Sequence, residues 1–218
     1  FPTFNGFWSK ETYAPNNVNF QREDVDGRLY NAATLRRYVL VPQQTGTLVI
    51  DPAELVCLVN VRSSSSSARS IFDSFFDTGT TTIRKRIATS SVKVNVRNLP
   101  GGAPASFCGG VGNFTINAKL NQSQLKAHEA NSLIVTVSGR GNVSLLEAPK
   151  VNFPPDMEVY DTKSSENTTP NSGGTSGSKT FEYPFIPRSH GDFIIEPIEY
   201  SYYNVTTGKY ETLTTAPI

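Results

Sequence analysis

The sequence lacks the features that would place it in a membrane or on nucleic acid. It contains no run of about 18 apolar residues, which is roughly what a bilayer-spanning helix requires. Its 20 basic and 19 acidic residues nearly cancel, whereas proteins that bind nucleic acid or membrane surfaces usually carry a basic excess. The first residues show no signal peptide. We therefore expect a soluble piece of a larger protein.

Cysteine is equally scarce. The two cysteines, Cys57 and Cys108, are too few for a disulfide framework. Cys57 lies in an apolar run, where a small buried thiol is the usual outcome, and Cys108 lies beside a glycine-rich stretch. A bridge between them would have to join two predicted domains. The sequence leaves both a bridge and two free thiols open.

The sequence also lacks a recognisable catalytic arrangement. The two histidines, His128 and His190, lie in stretches that predict solvated loops, without the neighbouring nucleophile and orienting group that catalysis needs. No Gly-x-Ser-x-Gly elbow, His-Glu-x-x-His motif or phosphate-binding glycine loop occurs. No Cys/His cluster has the spacing of a metal site. We predict that the protein is not an enzyme and has no catalytic, metal-binding or cofactor-binding residues.

One stretch of the sequence occurs twice, as residues 38–52 and residues 183–197. Apolar residues coincide between the two copies, and an acidic residue precedes the last proline in both. Four aligned positions are identical: Tyr38 and Tyr183, Pro42 and Pro187, Gly46 and Gly191, Pro52 and Pro197. We interpret them as two copies of one structural unit.

Each copy predicts a corner between two antiparallel strands. An apolar run ends at a proline, which cannot donate a hydrogen bond to a strand ladder. Four residues later a glycine allows the chain to turn, and a second apolar run follows. We interpret the corner as a structural feature of a sandwich and not as a chemical site.

Strand-like segments recur about every ten residues with little helix, which is typical of antiparallel β-sandwiches. Residues 99–104, Leu-Pro-Gly-Gly-Ala-Pro, have the composition of a linker. We predict an all-β protein with two tandem antiparallel β-sandwich domains, residues 1–98 and residues 105–218, joined by the linker 99–104. Fewer residues precede the corner in the first domain, so we expect it to be incomplete and to expose an edge or an apolar face.

Several local signals are more specific. Asp26-Gly27 and Thr207-Gly208 predict hairpin turns, and the alternation in Val92–Val96 predicts a half-buried strand. The apolar residues at positions 71, 72, 75 and 76 have helical spacing. Residues 161–179 are rich in Ser, Thr, Asn and Gly, and we expect them to contribute nothing to the core.

Phe72, Phe75 and Phe76 are the candidate partner-binding residues. They follow a serine-rich tract and lie outside the strand pattern of the predicted sandwich. One interpretation is that they pack against their own domain or against the seam between the domains. The other is that they anchor a partner protein, since aromatic residues contribute much of the binding energy at protein interfaces.

Five stretches of the second half are distinctive in combination: Gly109–Phe114, Ser138–Val143, Pro154–Asp161, Gly177–Tyr183 and Thr207–Tyr210. Together they resemble the repeated periplasmic module of BatD, the oxygen-tolerance protein of bacterial Bat operons. In the first half, the Pro42–Pro52 corner and the Asp73–Asp77 loop are also similar to BatD. The serine tract at 63–67 departs from the family pattern, as does Cys108, where a small polar residue is typical.

This resemblance implies Ig-like sandwiches on the periplasmic face of the inner membrane of a Gram-negative bacterium. It implies a membrane anchor that lies outside these residues and a link to aerotolerance or envelope stress. The implied partners are proteins, namely von Willebrand A-domain Bat proteins and a MoxR-type ATPase. The resemblance supplies no catalytic residues.

A second hypothesis is a carbohydrate-binding β-sandwich module of the cell envelope that uses Tyr200, Tyr202 and Tyr203. Alternation along a strand places Tyr200 and Tyr202 on one face and Tyr203 on the other, so at least one of these faces belongs to the core. Exposure of Tyr200 and Tyr202 in a shallow groove would favour the carbohydrate-binding hypothesis over the protein-binding one.

Overall fold

The computed structural model describes residues 2–62, 80–171 and 174–218. Within these ranges the chain forms β-strands and no α-helix, and its helical segment is a 3-10 turn at Val143–Leu145. The prediction of an all-β protein is confirmed, and the curled sheets are of the kind found in sandwich and Ig-like folds. The apolar residues with helical spacing, at positions 71, 72, 75 and 76, lie outside the described residues.

The strands are numbered in chain order. In the first half they are β1 (Phe7–Tyr13), β2 (Gln21–Val25), β3 (Arg28–Ala32), β4 (Arg37–Pro42), β5 (Gly46–Ile50), β6 (Glu54–Arg62), β7 (Thr80–Ala88) and β8 (Val92–Val96). In the second half they are β9 (Phe107–Leu120), β10 (Asn131–Gly141), β11 (Met157–Val159), β12 (Lys163–Asn171), β13 (Gly174–Pro187), β14 (Glu199–Asn204) and β15 (Lys209–Thr214).

The chain divides into two compact units. The first comprises Phe1–Trp8 and Pro42–Arg97, and the second comprises Ser9–Val41 and Asn98–Ile218. Residues 9–41, which we assigned to the first domain, therefore cluster with the second unit. The predicted domain boundaries, with a linker at 99–104, stay a prediction.

The second unit holds a seven-stranded sheet in the order β11-β13-β10-β9-β14-β15, with β12 also pairing with β13. Its strands pair antiparallel except β14 and β9, which are parallel. The core lies against this sheet because every second side chain along its central strands is buried. On β10, Leu133, Val135 and Val137 are fully buried. On β13, Phe181, Tyr183 and Phe185 are buried in the same alternation. Burying each such side chain stabilises the fold by roughly 1.5–3 kcal/mol.

The polar residues 161–179 do not match our expectation. Residues 163–171 form β12 and residues 174–179 form the first part of β13. Thr175 is buried and donates a hydrogen bond from its Oγ1 to the Gly141 carbonyl (3.0 Å). A strand ladder is made by backbone groups, so a mostly exposed strand such as β12 needs no apolar side chains. The expectation that this stretch contributes nothing to the core is therefore wrong at Thr175.

The strands of the first unit form one long, interrupted hairpin. β5 pairs with β8 from Gly46–Val96 to Ile50–Val92, and β6 continues with β7 in the same register. Between the two ladders, the Ala53 N–H donates to Thr89 Oγ1 (2.9 Å) and the Thr89 N–H donates to the Ala53 carbonyl (3.0 Å). Thr89 thus joins the two ladders.

The first unit has few buried apolar side chains among its described residues. Leu48 is the one buried apolar residue among its described residues, at 9% exposure. On one face of the β6–β7 ladder, Val59, Ile83 and Ile87 are all exposed. An uncovered apolar face, which we expected of an incomplete sandwich, is therefore present in this unit.

The repeated corner is confirmed in part. β4 ends at Pro42 and β13 ends at Pro187, so both copies begin with a strand that stops at the conserved proline. After the glycine, the first copy continues as β5, whereas residues 191–195 form no strand. β5 has β8 as a ladder partner, and strand geometry is stabilised by such pairing. The expectation of two equivalent strand–turn–strand corners is wrong for this second arm.

Candidate functional site

The aromatic residues predicted to bind a partner, Phe72, Phe75 and Phe76, lie outside the described residues. Their role therefore stays a prediction.

The tyrosines considered for carbohydrate binding lie in or against the core. Tyr200 has no exposed surface, and Tyr202 is 4% exposed with its ring packed edge-on against Phe114 at 5.3 Å. Tyr203 is half-buried against Tyr210, with ring centroids 5.3 Å apart. The sequence correctly placed Tyr200 and Tyr202 on one face, but that face is the core. The hypothesis of an exposed tyrosine platform is wrong.

The remaining candidates for reactive groups do not form a site. His128 and His190 are exposed, and both cysteines are free thiols. Cys57, expected to be buried, is only partly so, while Cys108 is buried and donates from Sγ to the Ser106 carbonyl (3.3 Å). Burial, and secondarily the charge of Glu147, raises the pKa of the Cys108 thiol. A thiol with a raised pKa stays protonated and is a poor nucleophile.

The second unit contains a groove with a volume of about 570 Å³, which is within the usual size range of ligand pockets. Most of the side chains that line it are apolar, and the lining residues are Ala148, Pro149, Lys150, Val151, Phe153, Pro154, Pro155, Met157, Val159, Thr162 and Tyr183. We call it the proline groove.

Tyr183 and Phe153 are held at the proline groove by the core beneath it. The Tyr183 hydroxyl donates to the carbonyl of the buried Pro149 (2.5 Å). Burial, with a smaller effect of Cys108, raises the pKa of Tyr183, so this phenol remains a hydrogen-bond donor. The Phe153 ring packs 6.3 Å from the Tyr183 ring and 5.6 Å from the Phe185 ring. The aromatic part of the groove is therefore anchored to β13.

The other side of the proline groove is a turn followed by β11. The Met157 N–H donates to the Pro154 carbonyl (3.0 Å), and Pro155 lies inside that turn, where its fixed φ is favourable. β11 then pairs with β13, which places Met157 opposite Pro187 and Val159 opposite Phe185. Val159 is 42% exposed, so a partner can reach it from solvent.

The electrostatics of the proline groove are simple. Lys150 is the one charged residue in its lining and is exposed. Nearby, Arg188 and Glu158 form an ion pair at 2.9 Å, and such exposed pairs contribute little to stability. The proline groove therefore combines apolar side chains with one positive charge.

The sequence did not identify the proline groove. Asn152-Phe-Pro-Pro155 was visible as a segment, but its approach to Tyr183 depends on the pairing of β11 with β13. The available signal was the neighbouring Phe153, Pro154 and Pro155, since an aromatic ring supplies a large apolar area and proline has a fixed φ.

Residues 118–218, which include the whole proline groove, match the family model described as "BatD DUF11 like domain". The chain carries a BatD domain. The resemblance to the BatD family is thus confirmed on this segment. The BatD family is associated with the cell envelope. No curated protein and no solved structure matches the chain.

In the described part of this BatD-domain protein, no helix is long and apolar enough to cross a membrane. Nor do the described residues contain a group of three or more His, Cys, Asp or Glu side chains placed to hold a metal ion.

Proposed function

We propose that the chain is the non-enzymatic periplasmic portion of a membrane-anchored BatD-like protein, and that it binds protein partners in a Bat complex linked to aerotolerance or envelope stress. The partners are von Willebrand A-domain Bat proteins. The anchor lies outside these residues, and the chain faces the periplasm at the inner membrane.

The observation that carries this proposal is the proline groove within the BatD-matched residues. Phe153, Met157 and Val159 offer apolar area, and removal of such area from water drives most protein association. Lys150 at the rim favours a partner segment with a carboxylate beside its apolar side chain. An extended partner segment with one apolar anchor and one acidic residue fits both features.

A second contact is proposed at Phe72, Phe75 and Phe76. These rings belong to the segment between β6 and β7, and the proposal rests on their sequence alone.

The test is a direct binding measurement with a purified von Willebrand A-domain Bat protein. Val159→Asp places a charge in the proline groove, and Val205→Asp is the matched control, because Val205 is 59% exposed and does not line the groove. We expect Val159→Asp to weaken binding by at least about tenfold, since a buried unpaired charge is costly. Val205→Asp should bind as the unchanged protein does.

Equal binding by both variants would exclude the proline groove as the contact. No binding by the unchanged protein would overturn the proposed partner. Melting temperatures measured on the same samples separate lost contact from lost folding.

A further inference from the structure

The outer edge of β11 is open in the part of the chain that the structure describes. β11 stands at the end of the seven-stranded sheet, with β13 as its ladder partner. The Tyr160 N–H donates to the Pro184 carbonyl (2.9 Å), and the Arg188 N–H donates to the Asp156 carbonyl (2.8 Å). Backbone groups alternate in direction along an antiparallel strand. The N–H and the carbonyl of Val159 therefore point away from β13.

These two groups of Val159 border the proline groove. Val159 lines the groove and is 42% exposed. Within the described ranges its N–H and carbonyl make no hydrogen bond, whereas the Met157 N–H is already bonded to the Pro154 carbonyl (3.0 Å). An unpaired N–H and carbonyl at a sheet edge are a template for pairing with another strand. One residue of an added strand can bond to both groups of Val159.

A strand added at this edge would place alternate side chains in the proline groove. Residues directly opposite each other in neighbouring strands project to the same face of the sheet. The face that carries Val159 also carries its partner Phe185, which is 1% exposed and belongs to the core. A side chain opposite Val159 thus lies on the groove side of the sheet, beside Phe153. The volume of about 570 Å³ accommodates a large apolar side chain there.

The positive charge of the proline groove lies toward β12. The Tyr183 hydroxyl bonds to the Pro149 carbonyl, which places Lys150 near Tyr183. On β13, Tyr183 lies between Phe185, the partner of Val159, and the residues that pair with β12. A strand antiparallel to β11 runs from the β12 end toward Met157, so its residue near Lys150 precedes the one opposite Val159. Because alternate side chains share a face, that residue lies two positions earlier.

We propose that the open edge of β11 binds an extended segment of a partner protein as an antiparallel strand. The segment has a large apolar residue opposite Val159 and an acidic residue two positions earlier, near Lys150. This inference rests on the proline groove of the proposed function and adds backbone pairing to it. Antiparallel pairing lets one residue exchange both hydrogen bonds with Val159 and is slightly more stable per residue than parallel pairing. In such strand addition, backbone bonds supply affinity and alternate side chains supply specificity.

The experiment uses the synthetic peptide Thr-Asp-Thr-Phe-Thr-Thr with blocked ends, so it does not depend on which Bat protein is the partner. An NMR titration gives Kd, and amide hydrogen exchange at Val159 is then measured with the peptide in excess over Kd. At about ten times Kd we expect exchange to slow by about tenfold, because occupancy of the edge limits exposure of the amide. Absence of binding, or binding without protection of Val159, would overturn the proposal.

Two methylated peptides test the backbone pairing. A methyl group on the Phe nitrogen removes the N–H that donates to the Val159 carbonyl. A methyl group on the nitrogen of the following Thr points away from β11, because N–H directions alternate along a strand. We expect the first peptide to bind at least about fivefold more weakly and the second to bind as the parent peptide does. Equal binding by the two methylated peptides would overturn the proposal.

The direction of the strand and the role of Lys150 are tested separately. Thr-Phe-Thr-Asp-Thr-Thr has the same composition with the acidic residue after the aromatic one, and it should bind more weakly. Lys150→Gln should weaken binding of the parent peptide by roughly two- to fivefold. Lys209→Gln is the matched control, because Lys209 is exposed on β15 and does not line the groove. Equal binding of the two peptides, or equal effects of the two variants, would overturn the proposed register.

A dilution series without peptide tests a second copy as the occupant. Protection of Val159 that rises with protein concentration would show that two β11 edges pair with each other, and it would overturn the proposal of a partner segment. Failure of the proposed function is distinguishable from failure of this inference. If the peptides behave as expected but no von Willebrand A-domain Bat protein binds, that partner is wrong and strand addition stands. If such a protein binds in the groove while the peptide leaves Val159 unprotected, strand addition is wrong.

Discussion

Gly112 and Gly141 face each other across β9 and β10 with no room for a side chain on either one. A Cβ on Gly112 would lie 2.1 Å from the Arg140 carbonyl oxygen, and a Cβ on Gly141 would lie 2.1 Å from the Val111 carbonyl oxygen. Both glycines have φ of +149°, a conformation that other residues rarely adopt. The close approach of these two strands therefore depends on glycine at both positions.

We expect Gly141→Ala to destabilise the second unit by at least about 2 kcal/mol, since backbone strain adds to the steric clash. Chemical denaturation monitored by intrinsic fluorescence measures the change. Gly101→Ala is the control, because nothing lies within 4 Å of a Cβ at Gly101. A small effect of Gly141→Ala would show that β9 and β10 separate at little cost.

Thr215→Val should destabilise the second unit by about 1–3 kcal/mol, because the Ile198 N–H would lose its acceptor in a buried position. Thr89→Val removes the equivalent acceptor for Ala53 at an exposed site, so its effect should be smaller. Thr214→Val, at an exposed position of β15, is the control for the change of side chain. If all three variants have equal stability, the shared threonine contact is not a stabilising feature.

Tyr200→Phe and Tyr183→Phe should differ in their effect on stability. Among the described residues, none accepts from or donates to the buried Tyr200 hydroxyl, so its removal should leave stability unchanged or raise it by up to about 1 kcal/mol. The Tyr183 hydroxyl bonds to Pro149, and its removal should cost about 1 kcal/mol or more. Thermal unfolding of both variants provides the comparison, and a destabilised Tyr200→Phe protein would contradict the assignment.

The stability of the second unit should fall as the pH drops through the acidic range because of Glu211. Hydrogen bonds from Asn204 (2.8 Å), Tyr202 (2.8 Å) and Thr207 (2.9 Å) lower the pKa of this carboxyl from 4.5 in the folded protein. The unfolded chain then binds the proton first, so the contribution of Glu211 is present above pH 4.5 and is lost as the pH falls through the folded pKa.

Glu211→Gln should flatten this part of the profile of melting temperature against pH, whereas Glu199→Gln, at an exposed position of β14, should leave it unchanged. An unaltered profile in Glu211→Gln would contradict the role assigned to the carboxylate.

Phe75→Ala combined with Phe76→Ala should weaken binding to a von Willebrand A-domain Bat protein while changing stability by well under about 1 kcal/mol, as for exposed positions. If the rings belong to a core, the double variant should instead lose about 3–5 kcal/mol for each buried ring. Phe20→Ala is the matched control, because Phe20 is 68% exposed. Strong destabilisation of the double variant would contradict the binding role.

Local features of this protein could be predicted from sequence because they depend on neighbouring residues. Asp26 and Gly27 both have positive φ and connect β2 to β3 as predicted. Residues 92–96 form β8 as the alternation of valines indicated. The repeat also led to a true equivalence, since Pro42 and Pro187 both end strands.

Features that depend on distant strand pairing were decided by the tertiary structure alone. Alternation put Tyr200 and Tyr202 on one face, but the pairing of β14 with β9 and β15 decided that this face is buried. The polar β12 became a strand because β13 supplied its ladder partners. The proline groove likewise exists because β13 brings Tyr183 beside residues 148–159. A sequence pattern reports which side chains share a face, whereas only the pairing of distant segments determines what covers that face.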